Sequence, residues 1–332
     1  MKPSAKTIDE NKIQHGLTAF FDILGYKSII QNNDLRESIY IVKQIEEAID
    51  QAVKRLSATE GFLCASICKH VVFSDSILVH TVPFVPDSHT FVTDPEQMQL
   101  NVFIEFAVDL LNRLLLAGLP VRGALAYGDI YVDTQTPDKI LLAGKPIVEA
   151  YEWANRLELS ACVLAPSAEA YLAAKQVLDT SLDRQMGFIK YAVPMKPNRE
   201  RQKKFMLDQG SFYKHYREDL KWPEISPQMI VEKFAAHKKL IDDKVQPKID
   251  NTIEFLEACN APCDPSSQRT GKSKWLFRWN RLKHFVKFWM RRLRQYWRLN
   301  RQGADRRERL WRNQQWQNQR PDQTPCLRLV AI

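Results

Sequence analysis

Two aspartates lie within apolar stretches of the sequence, Asp22 in FFDILG and Asp75 in FSDS. Charged side chains are rarely buried without a partner, so a carboxylate in such a stretch requires an explanation. If a tight connection brings the two stretches side by side, the carboxylates repel each other unless a cation lies between them. Magnesium and manganese prefer hard oxygen ligands, commonly one or two carboxylates together with substrate phosphates. The pair therefore indicates metal-assisted chemistry on a phosphate ester.

Spacing alone leaves a second interpretation equally open. Asp22 stands just before a turn at Gly25, so it could cap the helix that follows. Asp75 could simply occupy a turn between two strands. Two aspartates about fifty residues apart fit both interpretations, and the surrounding elements have to distinguish them.

The elements that must position these residues alternate between strands and helices. Apolar runs and helical spacing predict, in order, a strand at 16–24, a short helix near 25–34, a helix at 35–56, two strands within 62–82 joined by a tight turn near Lys69–His70, a helix at 97–116, strands at 121–132 and 139–144, a helix at 145–158 and a short strand at 161–166. A strand-end turn is expected at Tyr127, Gly128 and Asp129. This order predicts an α+β fold, a ferredoxin-like antiparallel sheet with flanking helices.

Composition divides the chain into three predicted parts. The catalytic core is expected over 14–195, a helical extension over 196–262 and a basic aromatic tail over 263–332. With 45% hydrophobic residues the chain can build a sizeable core. The net charge of +9 comes from the tail, since the remainder of the chain is slightly acidic.

The segment 275–299 carries aromatic and apolar residues at helical spacing, with arginine and lysine on the opposite face. It could lie on a membrane surface, dock on a protein or RNA partner, or pack on the domain with its arginines solvated. No specific nucleic acid is predicted as a partner. There is no uninterrupted apolar run long enough for a transmembrane helix and no secretory signal pattern, so we expect a cytoplasmic protein, with contact at the inner membrane surface as one role for this segment.

Four strings occur in register over roughly residues 16–170: FFDILGY, FSDSILV, VRGALAYGD and GKPIVEAYEW. In these strings the chain resembles the class III nucleotidyl cyclases, and most of all the bacterial pyrimidine cyclases of the Pycsar anti-phage system. The resemblance implies a class III cyclase catalytic core that works as a homodimer, with sites at the interface. It also implies that a ribose 3′-hydroxyl attacks the α-phosphate of a nucleoside triphosphate and releases pyrophosphate.

The same resemblance assigns roles to individual residues. Asp22 and Asp75 would hold two divalent ions, Mn²⁺ or Mg²⁺, with the backbone carbonyl of Ile23 as a further ligand. Phe21 and Ile23 would bind substrate. Arg122 is the candidate for a phosphate or transition-state contact, because an always-charged forked donor suits a developing pentavalent phosphate; a salt bridge at the strand end is its other interpretation.

Tyr151 and Glu152 match a Tyr-Glu pair of the pyrimidine cyclases. They could lie at the nucleotide pocket, or form an interface on their helix. The transition-state Asn and Arg of the purine cyclases fall near Val148 and Glu152, with Asn155 and Arg156 one turn later as candidate replacements.

The sequence departs from the purine cyclases at both positions that read the base. Val71 and Leu141 occupy them, and neither side chain can hydrogen-bond a purine edge. We therefore expect a pyrimidine substrate, UTP before CTP, although the residues do not distinguish these two. A purine cyclase with displaced base readers and a degenerate nucleotide-binding protein stay open as alternatives.

Overall fold

The computed structural model describes residues 9–60, 68–82, 94–136, 139–178, 187–196 and 200–261. The predicted amphipathic helix at 275–299 and the rest of the tail lie outside these residues. Within the described ranges, every helix is too short or too polar to cross a bilayer.

Strands and helices alternate along the first part of the described chain. The strands are β1 Ile13–Ile23, β2 Cys68–Phe73, β3 Ser76–Thr81, β4 Val121–Thr136, β5 Lys139–Ala143, β6 Cys162–Leu164, β7 Phe188–Met195 and β8 Glu200–Leu207. The helices are α1 Tyr26–Asn32, α2 Leu35–Glu60, α3 Pro95–Leu116, α4 Lys145–Arg156, α5 Pro166–Ala174, α6 Gln209–Leu220, α7 Pro227–Ala235 and α8 Gln246–Asn260.

All eight strands form one sheet, whose main path runs β2-β3-β1-β4-β6-β8-β7, with β5 paired to β4. The first four strands pair with one another in antiparallel fashion and stand in the order β4-β1-β3-β2. Together with the helices that link β1 to β2 and β3 to β4, this is the ferredoxin-like βαββαβ arrangement. The predicted fold class is therefore confirmed. The hairpin of β7 and β8 spans residue 195, and the predicted division at that residue stays a prediction.

One face of the sheet is covered by α2 and α3. Successive residues of a strand point to opposite faces, and β1 sends Leu17, Ala19, Phe21 and Ile23 into this layer. Helix α3 begins at a well-formed cap, because Asp94 accepts a hydrogen bond from the backbone N–H of Gln97 at 2.9 Å.

A buried carboxylate joins the two helices of this layer. Asp109 of α3 is fully buried and accepts hydrogen bonds from Nε of Arg55 at 2.7 Å and from Nε of Arg113 at 2.9 Å. A buried charge is tolerated when it is paired in this way, so Asp109 fixes how α2 lies against α3.

The opposite face of the sheet is covered by α4 and by α7 and α8 from the later part of the chain. Phe20 of β1, Ala150 of α4 and Phe255 of α8 belong to this second core. Because side chains alternate along β1, Asp22 points to the same face as Phe20. The extension that follows residue 195 therefore covers the face on which Asp22 lies.

Two predicted turns are wrong. Lys69 and His70 lie within β2, and the chain reverses four residues later, at Ser74 and Asp75. Tyr127, Gly128 and Asp129 continue β4, where Tyr127 pairs with Leu17 of β1. In both cases pairing with β1 or β3 extends a strand through polar residues that locally favour a turn.

Candidate active site

Asp22 and Asp75 lie beside each other at one end of the sheet. Asp22 is the second-last residue of β1 and stands opposite Ser76, the first residue of β3. Asp75 directly precedes Ser76, and its carbonyl oxygen accepts a hydrogen bond from the backbone N–H of Ile23 at 2.9 Å. The juxtaposition expected from the sequence is therefore present, while the roles of these residues as metal ligands stay predictions.

The turn that carries Asp75 is a two-residue hairpin connection. Phe73 pairs with Ser76, so only Ser74 and Asp75 join β2 to β3. Ser74 adopts a left-handed conformation with φ of 56°. This conformation costs a residue other than glycine about 1 kcal/mol or more. The strained turn keeps Asp75 next to β1, because a longer loop would move it away from the strand.

Arg122 connects the first carboxylate to helix α4. It stands opposite Asp22 in the register of β4, and its Nε donates to Asp22 Oδ2 at 2.7 Å. Its Nη1 donates to the carbonyl oxygen of Asn155 at 3.2 Å, and its Nη2 donates to Asn155 Oδ1 at 2.6 Å. The guanidinium therefore spans Asp22 and the last turn of α4, and Asn155, a candidate replacement for the missing transition-state residue, lies at this site.

Gly123 explains how the two strands approach so closely here. A Cβ on Gly123 would lie 2.4 Å from Cδ1 of Phe21, the residue opposite it in β1. The phenyl ring of Phe21 occupies the space of the absent side chain, as an aromatic residue often does beside a strand glycine. This contact helps to fix the pairing register of β1 and β4, in which Arg122 lies opposite Asp22.

The environment of Asp22 disfavours its charge. Burial raises the pKa of the Asp22 carboxyl, Arg122 opposes this shift through its charge and its hydrogen bond, and the nearby charge of Asp75 raises the pKa further. The carboxyl is 17% exposed and the Arg122 side chain 15% exposed, so solvent screens these charges only in part. Added positive charge at this site would favour the ionised form of the Asp22 carboxyl.

The two carboxylates suit divalent cations that take their remaining oxygen ligands from water and substrate phosphates. Among the described residues, no three or more His, Cys, Asp and Glu side chains form a metal cluster. Asp22 and Asp75 supply two carboxylates, which is the number that Mg²⁺ commonly takes from protein when substrate phosphates and water complete its shell. The arrangement could therefore hold Mg²⁺ or Mn²⁺ together with a phosphate ester.

The remaining predicted substrate residues fall at different distances from this pair. The side chain of Phe21 is fully buried on the other face, so only its backbone could meet a ligand, and Ile23 is 3% exposed.

Tyr151 is 53% exposed, and its ring packs edge-on against Phe20 with centroids 5.4 Å apart. Tyr151 lies one helical turn before Asn155, so it stands on the side of α4 that meets the site. Glu152 is exposed beside it.

Two lysines that the sequence analysis did not single out lie nearby, Lys196 close to Asp22 and Lys248 close to Arg122. Lys196, which follows β7, has its Nζ 3.4 Å from Oε1 of the buried Glu158. The positive charge of Lys196 lowers the pKa of Asp22, against the upward shift that burial causes. Burial lowers the pKa of Lys248 in α8, and the charges of Lys196 and Arg122 lower it further, against the effect of Glu158. The Asp22 face therefore carries three neighbouring cations.

Val71 and Leu141, which the resemblance aligns with the base-reading positions of purine cyclases, lie on different strands. Val71 lies in β2, where it pairs with Leu78 of β3. Leu141 lies in β5 and is 46% exposed.

Comparisons with known proteins give structural likeness only. No protein-family model matches the chain, and no curated protein matches it. Among solved structures, the guanylate cyclase domain of RhGC from Catenaria anguillulae in complex with GTP has 13% sequence identity and a TM-score of 0.40, over 59% of this chain and 97% of that one. The adenylyl cyclase CyaB from P. aeruginosa has 11% identity and a TM-score of 0.39, over 59% of this chain and 95% of that one.

A third solved structure is the catalytic core of a rhodopsin-guanylyl cyclase with converted specificity in complex with ATPαS. It has 14% identity and a TM-score of 0.39, over 59% of this chain and 97% of that one. The ferredoxin-like assignment above rests on the strand order of this chain itself.

Proposed function

We propose that this chain is a cytoplasmic metal-dependent nucleotidyl cyclase that converts a pyrimidine nucleoside triphosphate, UTP before CTP, into its 3′,5′-cyclic monophosphate and pyrophosphate. The observation that carries the proposal is the pairing of Asp22 and Asp75 at neighbouring strand ends of a ferredoxin-like sheet. The sequence resemblance supplies the reaction class, and it also supplies the role of the product as a second messenger in bacterial anti-phage defence.

In this proposal Asp22, Asp75 and the carbonyl of Ile23 hold two Mg²⁺ or Mn²⁺ ions. When bound, the ions favour ionisation of the ribose 3′-hydroxyl and neutralise charge on the triphosphate. The 3′-oxygen forms a bond to the α-phosphorus, the bond from that phosphorus to the bridging oxygen breaks, and pyrophosphate carries away the electron pair. The hydroxyl proton passes to solvent.

The contacts of Arg122 suit it to the transition state of this reaction. Its guanidinium already faces Asp22 and is oriented by two hydrogen bonds to Asn155. A guanidinium held in place can donate to a non-bridging phosphate oxygen as negative charge develops, without first being reoriented. Lys196 and Lys248 would raise the local concentration of the triphosphate through their charge.

The apolar residues at the two base-reading positions favour a pyrimidine. Val71 and Leu141 offer no hydrogen bond to a purine edge, and a site without such bonds discriminates poorly for a purine. Uracil and cytosine differ in the donor and acceptor at one edge, so a single side-chain amide or an ordered water is enough to choose between them.

We also propose that the enzyme acts as a homodimer. Val148 and Tyr151 are 56% and 53% exposed and lie on α4, whose last turn meets the site, while Leu141, 46% exposed, lies on β5 at the other end of β4. Exposed apolar side chains in such a group are typical of an interaction surface. A homodimer predicts that specific activity falls on dilution together with the molar mass measured by light scattering.

The decisive experiment incubates the full chain separately with UTP, CTP, ATP and GTP in the presence of Mn²⁺ and identifies the product by mass spectrometry. The proposal expects cyclic UMP, or cyclic CMP as the second outcome. A cyclic purine nucleotide would show a purine cyclase with displaced base readers. Binding without pyrophosphate release would show a degenerate nucleotide-binding protein.

Variants test the role of the carboxylates. Asp22→Ala and Asp75→Ala are expected to stay folded and to abolish turnover. Asp129→Ala is the matched control, because Asp129 belongs to the same strand pair and binds His15 at its opposite end. Turnover by a folded Asp75→Ala protein would refute the metal assignment.

A further inference from the structure

A short segment after α7 packs against the elements next to the candidate site and forms hydrogen bonds with them. We call this segment, Ala236–Leu240, the clasp. His237 and Lys238 both adopt left-handed conformations, with φ of 60° and 57°. Two consecutive residues other than glycine in this region are costly, so contacts with the rest of the fold must hold the clasp in place.

The clasp binds the end of helix α1 through its backbone. Nδ2 of Asn33 donates to the carbonyl oxygen of His237 at 2.8 Å, and Nδ2 of Asn32 donates to that of Lys238 at 2.8 Å. The backbone N–H of Leu240 donates to Oγ of Ser28 at 3.3 Å. These three bonds join residues more than two hundred positions apart, and two of them satisfy the carbonyl oxygens of the left-handed residues His237 and Lys238.

Lys239 carries the clasp into the interior. The residue is only 8% exposed, and its Nζ donates to the carbonyl oxygen of Gly118 at 2.6 Å and to that of Lys233 at 3.3 Å. Burial lowers the pKa of Lys239 to about 7, and both the charged and the neutral amine have enough hydrogens for these two bonds. A buried lysine is rare, so this position calls for a role.

The stem of Lys239 lies against the turn that follows β1. A Cβ on Gly25 would lie 3.0 Å from Cδ of Lys239, so the turn and the lysine are in direct contact. Gly25 has φ of +80°, a conformation that glycine adopts without strain. Leu24, its neighbour, is fixed from the other side, because its backbone N–H donates to the carbonyl oxygen of Pro120 at 2.8 Å.

This turn directly follows the candidate metal ligands. Gly25 comes two residues after Ile23 and three after Asp22, so a displacement of the turn moves the Ile23 carbonyl and the end of β1. The amine of Lys239 is bonded to Gly118, which belongs to the connection between α3 and β4, and β4 carries Arg122. Lys239 therefore touches both chain segments that lead into the site.

We propose that Lys239 is a positioning residue that locks the β1–α1 turn and thereby sets the metal affinity of the Asp22 end of β1. The inference rests on the proposed function for the identity of the metal site. The lock itself rests on the contacts of the clasp. A small displacement of a ligand-bearing element is costly in a metal site, because ligands need support from the groups around them.

The test compares Lys239→Met with Lys238→Met in the full chain. Methionine keeps the apolar stem against Gly25 and removes both donors. Lys238 is the neighbouring control, since its amine makes an exposed ion pair with Glu37 and does not contact the turn. Loss of these two hydrogen bonds is expected to weaken Mn²⁺ binding about tenfold, measured by titration followed with electron paramagnetic resonance, and to speed amide exchange at Leu24 and Gly25.

The dependence of turnover on Mn²⁺ concentration is a second test of the positioning role of Lys239. In Lys239→Met the Mn²⁺ concentration for half-maximal turnover is expected to rise about tenfold, with kcat recovered at saturating Mn²⁺. Equal Mn²⁺ affinity and equal amide exchange in the two variants would overturn the proposal, as would a wild-type chain that binds no Mn²⁺. Wild-type Mn²⁺ binding without any cyclic product would instead refute the proposed function and leave the lock supported by affinity and exchange.

Discussion

Replacing Lys239 by methionine should change the stability of the protein in a pH-dependent way. Lys239 is 8% exposed, and burial lowers its pKa to about 7, whereas an unfolded chain gives lysine a pKa of about 10.4. Below pH 7 the amine is charged in both states. Between pH 7 and about 10.4 the unfolded state binds more protons than the folded state, so the free energy of unfolding of the wild type rises with pH through this window.

The size of the effect follows from the same linkage. A difference of one bound proton between the unfolded and folded states changes the free energy of unfolding by about 1.4 kcal/mol per pH unit. Lys239 therefore raises the free energy of unfolding of the wild type by roughly 3 kcal/mol between pH 7 and about pH 9.5. Methionine has no proton to exchange. The free energy of unfolding of Lys239→Met minus that of the wild type is therefore expected to fall by this amount across the window, whatever its value at pH 7.

The assay is urea unfolding at half-unit steps from pH 6 to 9.5, followed by tryptophan fluorescence and by circular dichroism. Taking the difference between variant and wild type cancels the titration of all other groups that the substitution leaves unchanged. Lys238→Met is the control, and its difference from the wild type should stay flat across this range. A flat difference for Lys239→Met would show that the amine is hydrated in solution, and the reasoning from burial would be refuted.

Three further predictions concern other parts of the chain. Asp109→Asn removes the carboxylate shared by two buried arginines and is expected to lower the free energy of unfolding by about 3–5 kcal/mol in urea denaturation, and a loss below 1 kcal/mol would contradict the pairing. Lys248→Gln is expected to raise the KM for the triphosphate about three- to tenfold with kcat little changed, while Lys244→Gln has no such effect. Equal KM values would remove Lys248 from the site. Deletion of 275–332 is expected to leave kcat/KM within about twofold of the full chain, and loss of turnover would place the main activity in the tail.

The elements of the fold were predictable where local pattern and tertiary contact agree. Helix α3 was predicted because an apolar run ends at Gly118 and Pro120, and strand β1 because its apolar residues have no competing helical period. The tight turn between β2 and β3 is expected near Lys69 and His70 because these residues are polar, whereas the real turn uses Ser74 and Asp75, which the sequence offers only as the alternative in which Asp75 occupies a turn.

The candidate site was predictable in part for the same reason. Asp22 and Asp75 stand out because each interrupts an apolar stretch, and Arg122 because the resemblance to cyclases calls for an always-charged, forked donor to phosphate. Lys196 and Lys239 carry no such signal, since each resembles any solvated lysine of a charged segment. Their positions depend on contacts with residues that are distant in sequence, which a single sequence does not encode as a local pattern.

The separations along the chain bear on when the site can form during synthesis. Arg122 meets Asp22 across 100 positions, and Lys239 meets Gly118 across 121. The ribosome must therefore release residue 239 before the turn after β1 is held from both sides. Contacts between segments so far apart in sequence form late in folding, so the nascent chain should not hold the Asp22 end of β1 in place until residue 239 has emerged.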